Sequence, residues 1–251
     1  MCAEILLADG ERLDEVNESL VLIQKKNALA FGTDAFLLSA FLRPATRERA
    51  VELGCGNGII SLLAAARGRF SHITAIEIQT QMAELAARNV TCNHLNERIS
   101  VLEKDVRLLN AAALGGEVGV VFANPPYMRA DSGAASPYGA KETARHEIEG
   151  GIREFAAAAA RCLKYGGLFY TVYRPDRAET LFAALREQRL APKRMVLVQD
   201  HPEAPPSMLL LESKLGAAEG LVLLPTICLH EKRGEKALSH RAAAIYETGI
   251  F

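Results

Sequence analysis

The chain has 251 residues, of which 49% are hydrophobic and 24% charged, and its formal net charge is −1. That length suits one large domain or two small ones, and the near-neutral balance argues against a wholesale basic nucleic-acid binder while leaving room for a local basic patch. No apolar run approaches the ~20 residues of a membrane span, and the opening MCAEILLADGERLDEV lacks the basic and apolar regions of a signal peptide, so no membrane attachment is expected.

The first thirty residues read as short strands broken at Asp9-Gly10 and Asn17-Glu18, with SLVLIQ the clearest of them. TDAFLLSAFL follows as an amphipathic helix, with Thr33 or Asp34 as its cap. From there strand and helix alternate. RAVEL, HITAIEI, ISVLEKD, GVVFAN and GLFYTVYR carry the β-branched, apolar look of buried strands. NGIISLLAAARG, TQMAELAARNV, EIEGGIREFAAAAARCL and DRAETLFAALREQ have helical spacing, and the alanine run 156–160 reads as helix interior. Such alternation predicts parallel strands joined by right-handed crossovers, with helices on both faces. KRMVLVQD and SMLLLESKL then come with no full helix between them, which predicts an antiparallel hairpin at one edge, and LVLLPTICLHE adds a further strand. The expected fold is α/β, a doubly wound, mostly parallel seven-stranded sheet. Residues 1–45 form a small strand-rich extension with one helix, and residues 46–251 form the main domain.

Cys2, Cys55, Cys92, Cys162 and Cys228 are far apart, and the six histidines are equally scattered, so no metal site is expected. Unpaired thiols without a secretion signal point to the cytoplasm. The chemistry concentrates at strand ends. VELGCGNG places Gly54, Cys55, Gly56, Asn57 and Gly58 at the first strand-to-helix turn, where glycines permit a tight turn and close approach of a ligand. The spacing departs from the dinucleotide pattern G-x-G-x-x-G, which weighs against a dehydrogenase. Glu52, just before the glycines, would repel a pyrophosphate but suits the cationic end of an aminoacyl group. Glu77, followed by Ile78, closes the second strand, where such folds hold an acid for ribose hydroxyls. Asp105 and Val106 follow the third strand, and Asn124, Pro125, Pro126 and Tyr127 end the fourth. Two prolines forbid helix continuation and hold this last segment rigid. Acids and an amide at four successive strand ends predict a cofactor crevice.

VELGCGNG, Glu77, Asp105 and NPPY together resemble the signature of class I S-adenosylmethionine-dependent methyltransferases that methylate amino groups. The resemblance implies a role for each residue. The Gly54–Gly58 loop, including Cys55 and Asn57, would underlie the methionine part of S-adenosylmethionine, with Glu52 and Asp34 near its amino end. Glu77, with Ile78 beside it, would hold the ribose, and Asp105 with the backbone of Val106 would hold the adenine. Asn124 to Tyr127 would form the catalytic loop, S-adenosylhomocysteine would be the product, and no metal would take part. An exocyclic amine is a poor nucleophile because its lone pair is delocalised. Asn124 Oδ1 and the Pro125 carbonyl could accept both its hydrogens, and Tyr127 offers a face on which a base stacks.

More widely, SLVLIQKKNALAFGTDAFLLSAF, ARHE (Ala144 to Glu147) and MLLLESKLG are similar to bacterial tRNA (adenine-N6) methyltransferases that modify the adenosine next to the anticodon of a valine tRNA. The resemblance implies an RNA substrate, a cytoplasmic enzyme and no obligatory protein partner. Ala28, Leu29 and Ala30 replace the glycine, aromatic and basic residues of that family. Lys25, Lys26, Arg174, Arg177, Lys193 and Arg194 are candidates for phosphate contacts. The rival readings are a glutamine methyltransferase acting on a release factor, a ribosomal RNA methyltransferase, and a non-catalytic cofactor- or RNA-binding module. The short, strand-like segment before the glycine loop weighs against the first, and an intact NPPY weighs against the last.

Overall fold

The computed structural model describes residues 7–26, 32–125 and 151–251. Strands β1 (Glu11–Asn17) and β2 (Leu20–Lys25) form a separate antiparallel hairpin. Helix α1 (Thr33–Phe41) leads into β3 (Ala45–Leu53), and α2 (Ile59–Ala66), β4 (Phe70–Glu77), α3 (Thr80–Cys92), β5 (Ile99–Glu103) and β6 (Val118–Ala123) follow. Beyond residue 151 come α4 (Ile152–Cys162), β7 (Leu163–Tyr173), α5 (Ala178–Glu187), β8 (Leu190–Gln199) and β9 (Pro206–Leu215). The two-residue strands β10 (Val222–Leu223) and β11 (Ile227–Cys228) precede α6 (His240–Thr248).

The seven long strands lie in the order β8-β9-β7-β6-β3-β4-β5, with only β9 antiparallel to its neighbours. The expected hairpin of β8 and β9 is present, with β9 inserted between β7 and β8. The stretch 221–231 supplies two short parallel additions to β8, making nine strands in this sheet among the described residues. The chain winds outward from β3 through β4 to β5, then returns to place β6 on the other side of β3. This reversal leaves a crevice beyond the carboxyl ends of β3 and β6, where ligands of such sheets bind.

Both faces of the sheet are covered, which explains why all six residues of β6 are buried. One face packs against α1, α2, α3 and α6 through residues such as Leu37, Leu62, Ala86 and Ile245. The other packs against α4 and α5, where Ala156, Ala158 and Ala159 bring α4 close to the sheet. Glu212 of β9 is fully buried but ion-paired with Arg43 and Arg194, and the Arg194 guanidinium lies 4.7 Å over the Phe41 ring. A buried carboxylate of this kind is tolerable because two cations meet it.

The hairpin is held to α3 by two asparagines that imitate a neighbouring strand. Asn93 Oδ1 accepts from Val21 N at 2.9 Å, and its Nδ2 donates to the Val21 carbonyl at 2.8 Å. Asn89 treats Ile23 the same way, at 2.7 and 3.1 Å. The match is geometric: residues four apart on a helix face and two apart on a strand edge have similar spacings. Asn89 Nδ2 also donates to the Asn57 carbonyl at 3.0 Å, so one side chain joins the hairpin to the glycine loop. Arg88 adds a two-pronged ion pair with Glu11.

Helix α1 begins without a side-chain cap. Its N-cap is Gly32, so neither Thr33 nor Asp34 plays the capping part expected of them. Support comes from α6, a helix the periodicity did not reveal, capped by Ser239 and ended by Gly249 at φ +68°. Tyr246 of α6 stacks on Phe36 with ring centres 4.9 Å apart. The buried Arg69 guanidinium donates to the carbonyls of Ala40, Leu42 and Gly249, tying the end of the chain to α1.

Asn89 is fully buried, so its removal strands the backbone groups of Ile23 without partners. Asn89→Ala is expected to destabilise the protein by about 2–4 kcal/mol, whereas Asn93→Ala, nearer the surface, should cost roughly 1 kcal/mol. Urea unfolding of the two variants measures this, and equal effects would contradict the difference in burial.

Candidate active site

Register fixes the site. Leu53 pairs with Ile76 on one side and Ala123 on the other, so Gly54, Glu77 and Asn124 stand at one level, just beyond three adjacent strands. Glu52 lies two residues further in. Strand alternation turns it, with Ala50, towards α2, whereas Val51 and Leu53 face α4.

Glu52 is 1% exposed. Its carboxyl accepts hydrogen bonds from Ser61 N at 3.0 Å and from Ser61 Oγ, satisfying one of the amides that the first turn of α2 leaves without a helical partner. Burial pushes its pKa up to about 8; the bonds from Ser61 oppose the rise, and the Glu77 charge adds to it. Glu52 therefore sits beneath the loop as its support, rather than at the loop's mouth.

Glu77 is the loop's second support. Its Oε2 accepts from Gly56 N at 2.8 Å, and its Oε1 accepts from Ile78 N and Gln79 N, both at 3.0 Å. Cys55 N reaches the Ile76 carbonyl at 2.9 Å, and Cys55 itself is buried, with its thiol pKa raised chiefly by burial. Asn57 accepts from Ile59 N, and Gly58, at φ +85°, starts α2.

Gly56 shows what the loop can hold. It adopts φ +55°, and among the described residues a Cβ built there would meet only Met82 Cε, at 3.9 Å. The missing side chain thus leaves an open cradle above Gly56, bordered by a carboxylate and the start of a helix. This fits a ligand with a cationic amino group and hydroxyls, which is the donor and acceptor set of S-adenosylmethionine. By contrast, a Cβ at Gly54 would press on Phe155 at 3.2 Å, so that glycine serves packing against α4.

Asp105 and Val106 follow β5. Val106 is buried, and Asp105 accepts from the Arg107 backbone at 2.8 Å and pairs with its guanidinium at 2.6 Å. The bond from Arg107 is the main reason that its carboxyl lies below the usual range. Asn124 and Pro125 emerge from β6, and Asn124 Nδ2 donates to Asp34 Oδ2 at 2.8 Å. Asp34 was expected to face a cofactor; its carboxylate is engaged with Asn124 and with the Ala35 amide at 2.9 Å. Pro126, Tyr127, Ala144 to Glu147, and Ala28 to Ala30 lie outside the described residues.

Several basic residues read as phosphate contacts have other partners. Arg194 is paired with Glu212, Arg174 with Asp176, and Lys193 donates to the carbonyls of Ala218 and Glu219. A cavity of about 590 Å³, lined in part by Phe182, Arg186 and Leu190, opens where β8 begins, at the opposite end of the strands from Glu77 and Asn124. It is not the site built by the crevice. Among the described residues no group of histidine, cysteine or acidic side chains could hold a metal, and no helix is long and apolar enough to cross a membrane.

Residues 25–188 match the family described as Methyltransferase small domain. A tRNA1(Val) (adenine(37)-N6)-methyltransferase of Bacteroides fragilis strain YCH46 is 29% identical over 221 residues, which is 88% of this chain and 89% of that protein. Its counterpart in B. fragilis strain ATCC 25285 is 31% identical over 186 residues, covering 74% and 77%. Among solved structures, a predicted O-methyltransferase from Agrobacterium tumefaciens shares the fold at a TM-score of 0.69 and 23% identity, covering 86% of this chain and 97% of that one. Methanocaldococcus jannaschii TYW2, solved with AdoMet, aligns at a TM-score of 0.57 and 14% identity, covering 83% and 87%.

The position of Glu52 has a consequence for stability. In the folded chain it keeps its proton up to about pH 8, whereas an ordinary glutamate releases it near 4.5. Between these values the unfolded chain binds fewer protons, so Glu52's contribution to stability falls as pH rises. Glu52→Gln keeps an acceptor for Ser61 and removes the titration. The variant is expected to gain stability relative to the parent by roughly a few kcal/mol between pH 5 and pH 8. Urea unfolding at both pH values measures the gain, and parallel pH dependences would refute it.

Proposed function

The chain belongs to the methyltransferase small-domain family, and from that membership we propose that it methylates N6 of an adenine in tRNA beside the anticodon. The observation that supports the site assignment is the shared level of Gly54, Glu77 and Asn124, just beyond three adjacent strands. When bound, S-adenosylmethionine supplies a methyl group on a sulfonium sulfur, which keeps the bonding pair as the adenine nitrogen takes the methyl.

The chain's own residues then have separate tasks. The Gly54–Gly58 loop and Glu77 hold the cofactor's aminoacyl and ribose parts, and Asp105 with Val106 borders its base. Glu52 acts from beneath, by holding α2 and the loop in place. Asn124 Oδ1 and the Pro125 carbonyl accept the two hydrogens of the adenine amino group. This takes the nitrogen out of conjugation with the ring and turns its lone pair towards the methyl. Pro126 and Tyr127 complete the loop in this reading, the tyrosine as a stacking face. Because the two acceptors are neutral, they orient the amine without removing its proton. The proton leaves to water once the nitrogen is alkylated. The substrate RNA reaches the crevice from the carboxyl side of the sheet, where Lys25 and Lys26 lie on or beside the hairpin.

Labelled S-adenosylmethionine, offered with tRNA, ribosomal RNA, DNA and release factor, tests the substrate assignment, and label is expected in tRNA adenine. Asn124→Ala removes an acceptor that matters most as the nitrogen rehybridises. It should lower the single-turnover rate on the order of a hundredfold or more, with cofactor affinity nearly unchanged. Near-normal transfer by this variant would reduce the NPPY segment to a strand exit.

A further inference from the structure

Asn124 can work as described only if its amide is the right way round, and an asparagine amide flipped by a half-turn presents NH₂ where the oxygen should be. Nothing intrinsic to asparagine selects the orientation. The structure contains a selector. Asp34 Oδ2 lies 2.8 Å from the Asn124 amide, and a carboxylate can only accept, so the nitrogen must face Asp34. The carbonyl Oδ1 is then on the opposite edge of the amide. We infer that Asp34 is a positioning residue that sets the amide of Asn124 for the amino group of the substrate. The inference rests on the function proposed above.

Asp34 is itself fixed on three sides. Its other oxygen, Oδ1, accepts from the Ala35 backbone at 2.9 Å. Its helix is anchored by the fully buried Leu37 and Leu38, and by Tyr246, which stacks on Phe36. The third constraint is Gly32. Its φ of −84° is open to any residue, yet a Cβ there would collide with Asp34 Oδ1. Glycine at this position is therefore required by the carboxylate's placement, and not by the backbone. The sequence Gly-Thr-Asp is a device for aiming one carboxylate at an amide 90 residues away.

This role differs from direct binding of the cofactor in what it should do to each measured quantity. Asp34→Ala should lower the single-turnover rate about tenfold or more while S-adenosylhomocysteine affinity, read by calorimetry, stays within about twofold. Asp34→Asn offers one acceptor oxygen to the two donors that Asp34 meets, Ala35 N and Asn124 Nδ2, and should recover only part of the rate. Gly32→Ala should resemble Asp34→Ala. The Asp34→Ala/Asn124→Ala double variant should be no slower than Asn124→Ala alone, because the first residue acts through the second. A readout independent of turnover is the Asn124 side-chain NH₂ in the ligand-free protein. Its hydrogen exchange, followed by NMR, should be slow in the parent and fast in Asp34→Ala. Multiplying losses in the double variant would overturn the inference. So would weakened S-adenosylhomocysteine binding with an intact rate, or an Asn124 amide indifferent to Asp34. If the parent methylates no adenine in RNA, the functional reading fails, while the exchange measurement still decides whether Asp34 sets the amide.

Discussion

Two buried acidic side chains hold the glycine loop, and the crevice depends on that grip. Glu77 draws in the amides of Gly56, Ile78 and Gln79, and Glu52 draws in Ser61 from below. The three left-handed glycines of the loop have no side chains to pack, and they lose more conformational entropy on ordering than other residues would. Hydrogen bonds to Glu77 at the end of the neighbouring strand, and to the protonated Glu52 carboxyl beneath, offset that loss. The arrangement also explains how both acids can lie so deep: Glu52 is met by Ser61, and Glu77, which accepts three amides, has room for one further donor among its roughly four acceptor positions.

Parts distant in sequence converge on this framework. Asn89 links the amino-terminal hairpin to the loop through the Asn57 carbonyl. Tyr246, close to the end of the chain, steadies the helix that carries Asp34. The crevice is thus bordered by parts of the hairpin, the first helix, three parallel strands and helix α6. Disturbance in any of these should be felt at Asn124 or Gly56, even though few of their residues face the crevice.

Much of this fold could be read from the chain because parallel strands covered on both faces give continuous apolar runs, as in VGVVFA, and their helices have regular stripes. The glycine loop was legible for a different reason: Gly54, Gly56 and Gly58 stand at positive φ, which demands that residue type. What stayed hidden depends on pairing across space. Glu52 reads as a ligand-facing acid until strand register turns it towards α2. Arg194 and Lys193 read as surface cations until Glu212 and two carbonyls claim them. Asn89 and Asn93 look like weak helix residues, and only the free edge of β2 gives them purpose. Helix α6 had local cues, Ser239 before it and Gly249 after it, but HRAAAIYET carries too few apolar residues for a clear stripe. The partnership of Asp34 and Asn124 left no sequence signal except the small residue before Thr33.

The central claim is that the loop is preformed, with Gly56 as the floor of the cofactor site. A crystal structure of the complex with S-adenosylhomocysteine tests it most directly. The ligand should lie over Gly56 between Glu77 and Asn124, with the Gly54–Gly58 backbone displaced by no more than about 1 Å and the bond from Gly56 N to Glu77 retained. A ligand seated elsewhere, or a loop rebuilt with Glu77 released from Gly56, would contradict the account.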